Sequence, residues 1–87
     1  MSTYNVVVKK SALKELKKLP KPTATRISIL LKELAKDPRP SGCKKLKSYN
    51  NLWRVRTGNY RIIYTIEEQV LIVEVLEIGD RKAIYRR

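Results

Sequence analysis

The chain has 87 residues, enough for one domain that buries roughly 60% of its unfolded surface and too few for a second. Hydrophobic residues make up 43% and charged residues 32%, which fits a folded domain and excludes a disordered tail. Twenty Lys and Arg against eight Asp and Glu leave a formal charge of +12, which predicts a polyanionic partner, nucleic acid ahead of membrane.

In chain order, residues 4–8 form a short β-branched run and predict a first strand. Ser11 reads as a helix N-cap, with Ala12, Leu13, Leu16 and Leu19 following at helical spacing. Pro20 and Pro22 close that helix and open a second, where Ile27, Leu30, Leu31 and Leu34 recur until Asp37, Pro38, Arg39 and Pro40 stop it. The two helices are expected to form an αα-hairpin. Residues 38–52 show no periodicity and read as an exposed connector. Three strands follow, over 52–57, 60–66 and 70–78.

Gly58-Asn59 is a two-residue hairpin loop, so Thr57 should pair with Tyr60, Arg56 with Arg61, Val55 with Ile62, Arg54 with Ile63 and Trp53 with Tyr64. Alternation then puts Trp53, Val55, Tyr60, Ile62 and Tyr64 on the core face and Arg54, Arg56, Arg61 and Ile63 on the other. In the last strand Leu71, Val73 and Val75 should face the helices, and Ile72, Glu74 and Leu76 should face away. The expected fold is α+β: two helices on one face of a small, mainly antiparallel four-stranded sheet, ordered β-α-α-β-β-β, in a single domain over 1–87. No apolar run approaches the roughly 20 residues that cross a bilayer, the longest, 70–73, ending at Glu74. Residues 1–4 lack the features of a secretory signal, and one cysteine forms no internal disulfide, so the chain is expected in the cytoplasm.

Charge is unevenly spread: residues 38–66 contain no acid, whereas 67–80 contain five acids and no base. Arg56 opposite Arg61, with Arg54 nearby, is a like-charge cluster that a bound anion would relieve. A solvated sheet face with Glu74 and Glu77 as partial counterions is the plainer reading. Lys44, Lys45 and Lys47 are suited to a phosphate backbone or simply to water. The same choice holds for Lys9, Lys10, Lys14, Lys17, Lys18 and Lys21 around the first helix: a soluble face, or docking on a large RNA particle. Tyr85, beside arginines near the C-terminus, either stacks on a base or pins the tail to the core. Cys43 reads as a free loop thiol, and Glu67 and Glu68 as a solvated turn. The absence of His, with only one Cys, removes the usual neutral-pH acid–base group and the ligands of a zinc site.

The segment Leu52-Trp53-Arg54-Val55-Arg56-Thr57-Gly58-Asn59-Tyr60-Arg61-Ile62-Ile63-Tyr64, with Ile78-Gly79-Asp80-Arg81-Lys82-Ala83-Ile84-Tyr85, resembles the RelE branch of the RelE/ParE toxin superfamily. Residues 9–20 are similar to that family's first helix, so the resemblance covers nearly the whole chain. It implies a microbial-RNase-like fold and a toxin, paired with a RelB-like antitoxin in a hetero-oligomer, that cuts mRNA in the ribosomal A site without metal or cofactor. In such enzymes the 2′-hydroxyl attacks the neighbouring phosphorus and leaves a 2′,3′-cyclic phosphate.

Matched position by position, Arg61 and Arg81 would stabilise the scissile phosphate and Tyr85 would stack on the base, with Lys82 joining Lys44, Lys45 and Lys47 against RNA or ribosome. Arg61 and Arg81 are expected on the solvent side of the sheet. Arg54 and Arg56 stand where well-known members carry lysines. A guanidinium stays protonated, with a pKa above about 12, so charge stabilisation is their expected role; ribosomal RNA, water or Tyr85 is left as proton acceptor. Asp80 stands where relatives often have a basic residue or His. Two other classes fit the same residues: a ParE-like toxin that poisons gyrase, and a non-catalytic RNA-binding module.

Overall fold

Three consecutive valines start the sheet. The computed structural model describes residues 3–47 and 49–80 and begins with β1 (Asn5–Val8), in which Val6 and Val8 pack on the core while Asn5 and Val7 face away. Helix α1 (Lys10–Lys18) starts one residue before the expected cap, and Ser11 lies inside its first turn. The sheet sets this start: Lys9 N–H donates to the Val75 carbonyl at 2.9 Å, and the Lys9 carbonyl accepts from Leu13 N–H at 2.9 Å. Ala12 is buried and Leu16 and Leu19 pack beside it, whereas Leu13 is exposed, contrary to the spacing argument.

Leu19 is extended because it precedes Pro20, which ends α1 and caps α2 (Lys21–Lys36), with Pro22 in its first turn. Ile27 and Leu34 are fully buried, and Leu30 and Leu31 flank them. No helix of the described residues is long and apolar enough to cross a membrane.

The remaining strands are β2 (Lys44–Lys45), β3 (Trp53–Thr57), β4 (Tyr60–Glu67) and β5 (Ile72–Asp80), in sheet order β1-β5-β4-β3-β2. The sheet therefore has five strands, not four, and the element order is β-α-α-β-β-β-β. The added strand lies within the expected connector: Lys44 pairs with Arg54 and Lys45 with Trp53. Two lysines carry no hydrophobic alternation, and a short, charged edge is how sheets commonly resist further pairing. β1 pairs parallel to β5; all other pairs are antiparallel.

The β3–β4 register matches the expected pairing at all five positions. Gly58 has φ +60 and Asn59 does not share the left-handed region, as a turn with glycine at its first central position requires. Between β4 and β5 the register shifts: Ile63 faces Glu77 and Tyr64 faces Val75, leaving Leu76 as an extra residue. This bulge changes the alternation, so Val73, Val75 and Ile78 all join the core while Glu77 turns to the opposite face. Leu71, expected in the strand, precedes it in the turn with φ 55.

The helices cover one sheet face, where Val55, Ile62, Tyr64, Ile66, Val73, Val75 and Ile78 meet Ala12, Ile27 and Leu34. Tyr64 is fully buried and donates its hydroxyl to the Pro38 carbonyl at 2.7 Å. Burial raises its pKa, so it remains a protonated donor. Asn51 joins β3 to β4 from a left-handed backbone, φ 55. Its Oδ1 accepts from Trp53 Nε1 at 3.3 Å and Ile66 N–H at 3.4 Å, and its Nδ2 donates to Glu67 Oε1 at 3.3 Å.

Asn51→Ala removes these bonds and places a Cβ-bearing residue of poorer left-handed tolerance there. Its expected cost is about 1–3 kcal/mol, seen as a lower urea midpoint at unchanged slope. Asn51→Gly keeps the backbone but loses the amide, so its midpoint should fall between those of Ala and wild type.

Candidate phosphate-binding face

On the sheet face opposite the helices, strand register groups the basic side chains. One row runs Lys44, Arg54, Ile63, Glu77; the next runs Arg56, Arg61, Gly79. Adjacent strands are about 4.8 Å apart, so the two rows form a compact cationic patch. Arg56 is exposed, Arg54 half-buried and Lys44 exposed.

Arg61 differs from the expectation of a solvent-side arginine: it is only 5% exposed. Its β5 neighbour is Gly79, which carries no side chain. Buried Ile63 continues the same face. At 5% exposure on β4, the middle strand of the sheet, this charge sits in a region of reduced dielectric, where its field on an anion is stronger than in water.

The bulge places Glu77, rather than Glu74, in the Arg54 row; Glu74 faces Thr65. Lys45 lies beside Trp53 on the other face, its Nζ 5.9 Å from the indole centroid. Lys47 is exposed in the loop after β2. Arg81, Lys82 and Tyr85 lie outside the described residues.

Several basic and acidic groups have structural work that pattern alone did not reveal. Arg39 stacks over Trp53, 4.8 Å from its centroid, and pairs with Glu68. Glu67 accepts from Asn51, so neither acid of that pair is simply a solvated turn residue. Cys43 is a free thiol in the loop before β2, as expected, and is half-buried against the core. Arg26 comes from α2 to the tip of the β3–β4 hairpin, where a Cβ on Gly58 would lie 3.4 Å from its Nη1. A charged residue on an exposed helix position gave no sequence signal for that approach.

A cleft of about 300 Å³ between α1 and β5, which shares Glu77 with the Arg54 row, is also lined by Lys9, Ser11, Ala12, Glu15, Leu76 and Ile78. Its mixed charge does not match the polyanion expected from the composition. The arginine face is suited to gripping a phosphodiester and stabilising added negative charge on it.

Residues 6–85 match the family model described as the ParE toxin of the type II toxin–antitoxin system parDE. Toxin RelE3 of Methanocaldococcus jannaschii is 31% identical over 84 residues, covering 92% of this chain and 93% of that one. Toxin RelE of Mycobacterium tuberculosis is 30% identical over 84 residues, covering 95% and 87%. Among solved structures, the archaeal RelE–RelB complex from Pyrococcus horikoshii OT3 superposes with a TM-score of 0.83 at 29% identity, over 98% of this chain and 99% of that one.

If Arg56 and Arg61 repel across the strands, Arg56→Gln should raise the melting temperature at low ionic strength, and the gain should shrink as salt screens the pair. The same substitution should weaken binding to a polyanion and flatten its salt dependence. Thermal melts at two salt concentrations, paired with binding titrations, check both outcomes.

Proposed function

This chain belongs to the RelE/ParE superfamily of type II toxin–antitoxin toxins and is RelE-type within it, and we propose that it is a ribosome-dependent mRNA endoribonuclease held inactive by a cognate antitoxin. The observation that carries this reading is the arginine face: Arg56 directly across from Arg61, with Arg54 and Lys44 in the adjoining row. A phosphodiester lying there gains most stabilisation when its phosphorus becomes five-coordinate and its oxygens gather charge.

In the proposed reaction the 2′-oxygen attacks the adjacent phosphorus and the bond to the 5′-oxygen breaks. The products are a 2′,3′-cyclic phosphate and a 5′-hydroxyl end. The 2′-hydroxyl gives up a proton and the departing 5′-oxygen takes one up. Because the nucleophile belongs to the RNA, the step does not require a metal-activated water. Arg61 and Arg81 would stabilise the phosphorane, Arg54 and Arg56 would position and neutralise it, and Tyr85 would stack on the substrate base. Guanidinium groups do not accept protons at neutral pH, so the acceptor is ribosomal RNA, water or Tyr85. Lys44, Lys45, Lys47 and Lys82 would bind RNA or ribosome, in the cytoplasm where ribosomes are available.

The partner in this reading is an antitoxin whose acidic residues cover the basic face and whose apolar side chains cover the helices. The solved RelE–RelB complex from Pyrococcus horikoshii supports a partner of this kind. A gyrase-directed activity is the second reading, favoured by the ParE description of the matching family model.

Purified protein added to mRNA-programmed ribosomes should cut inside the A-site codon, mapped by primer extension, and should leave ribosome-free mRNA intact. Arg56→Ala and Arg61→Lys should each lower the cleavage rate by about 10²–10³-fold if they stabilise the transition state. Arg61→Lys retains a buried cation and is preferable to Arg61→Ala, whose loss of packing also threatens the fold. Absence of cutting together with inhibition of gyrase supercoiling would transfer the assignment to the second reading.

A further inference from the structure

Among the described residues, five large apolar side chains stand exposed: Val7, Leu13, Ile29, Tyr49 and Val70. Four are aliphatic and scattered, which is ordinary on a protein surface. Tyr49 is the aromatic one, 58% exposed, in the loop between β2 and β3. The exposed Lys44, Lys45 and Lys47 precede it, and no acid occurs from 38 to 66. Val70 is equally open but follows Glu67 and Glu68 in the chain, whereas Tyr49 follows three exposed lysines.

The loop that carries Tyr49 is braced. Leu46 N–H donates to the Leu52 carbonyl at 2.8 Å and closes its base, and Tyr49 N–H donates to the Leu46 carbonyl at 3.4 Å. Asn51 fastens the return segment to Trp53, Ile66 and Glu67 through its side chain. An aromatic ring on a braced loop loses little further freedom when a flat ligand settles on it. The loop also continues the arginine face, because Lys44 pairs with Arg54 in the row next to Arg56 and Arg61. Lys44 on β2 is about 10 Å from β4 across β3, and the Tyr49 loop leaves from the Trp53 end of β3, so a single strand would run from the arginines past Arg54 and Lys44 to the loop.

We propose that Tyr49 is a stacking platform for an unpaired nucleobase of single-stranded RNA, with Lys44 and Lys47 holding the phosphates beside that base. The proposal rests on the RNA-directed reading above and extends its binding path beyond the arginines to the outer edge of the sheet. Stacking on a phenol ring accepts any base, so it adds affinity and register without a sequence requirement. A protein partner is less well suited: Trp53, on the strand that follows the loop, is already half-buried under Arg39, and no other exposed large apolar residue of the loop joins Tyr49 in a patch.

The test uses the full chain with two probes: an oligoribonucleotide carrying 2-aminopurine at successive positions, and ribosomes without message. Tyr49→Ala should weaken binding by about 5- to 150-fold and abolish fluorescence quenching at one position. It should leave the slope of affinity against salt unchanged, whereas Lys47→Gln should flatten that slope by somewhat less than one. Tyr49→Phe should behave as wild type, because the ring is retained. Loss on the oligonucleotide assigns the base to the message, and loss confined to ribosomes assigns it to ribosomal RNA; either supports the platform. Wild-type affinity of Tyr49→Ala for both probes, or a Tyr49→Phe defect as large as that of Ala, overturns it while the RNA-directed reading stands. Failure of the wild-type chain to bind either probe would overturn both.

Discussion

The two-residue turn at Gly58–Asn59 decides which side chains of β3 and β4 share a face, and the rest of the molecule follows from that decision. A turn longer by one residue would move Val55 and Ile62 out of step and send arginines toward the helices. With the register as it is, apolar residues of both strands line the core, and Arg56 is placed opposite Arg61. The like-charge pair is thus the direct geometric counterpart of a well-formed core. Hydrophobic burial on one side holds together a charge arrangement on the other that exposed strands in isolation would resist.

Legibility from the amino-acid sequence varied with the kind of force involved. The β3–β4 register could be read because alternation and a glycine turn are both local and agree with one another. The second helix could be read from Ile27, Leu30, Leu31 and Leu34 for the same reason. The start of α1 could not, because a backbone bond from Lys9 to distant Val75 outweighs the capping preference of Ser11. Nor could β2, whose two lysines become a strand only because β3 supplies the partner edge. The bulge at Leu76 leaves no compositional mark, yet it decides that Ile78 is buried and that Glu77 shares a face with the arginines. For the candidate site, the grouping of Arg54, Arg56 and Arg61 was visible in the pattern. The depth of Arg61 was not, since a charged side chain in an alternating strand is normally taken as solvent-facing.

Glu67, Glu68 and Glu74 lie away from the arginines of the sheet, whereas Glu77 shares the Arg54 row. Glu67 and Glu68 are engaged at the far end of the β4–β5 hairpin, with Asn51 and Arg39. Glu74 lies across from Thr65, in a row separated from the arginines by the bulge. With a total of +12, the chain presents a long-range attraction to any polyanion, which hastens encounter, while the strand register determines where that polyanion is finally held. Bulk charge and local geometry therefore act at different stages of association.

The parallel pairing of β1 with β5 sets the order of synthesis against the order of assembly. β1 is made first and waits for β5, made last among the described strands, before either its hydrogen bonds or the bed of α1 exists. Contacts of such sequence separation carry a higher loop-closure cost than the β3–β4 hairpin. A nascent chain that has emerged only through β4 can close the β3–β4 hairpin but lacks the strand that anchors Lys9, seats Val73, Val75 and Ile78 in the core and places Gly79 beside Arg61. The topology thus acts as an assembly check: the cationic face acquires its folded support only after β5 has been translated.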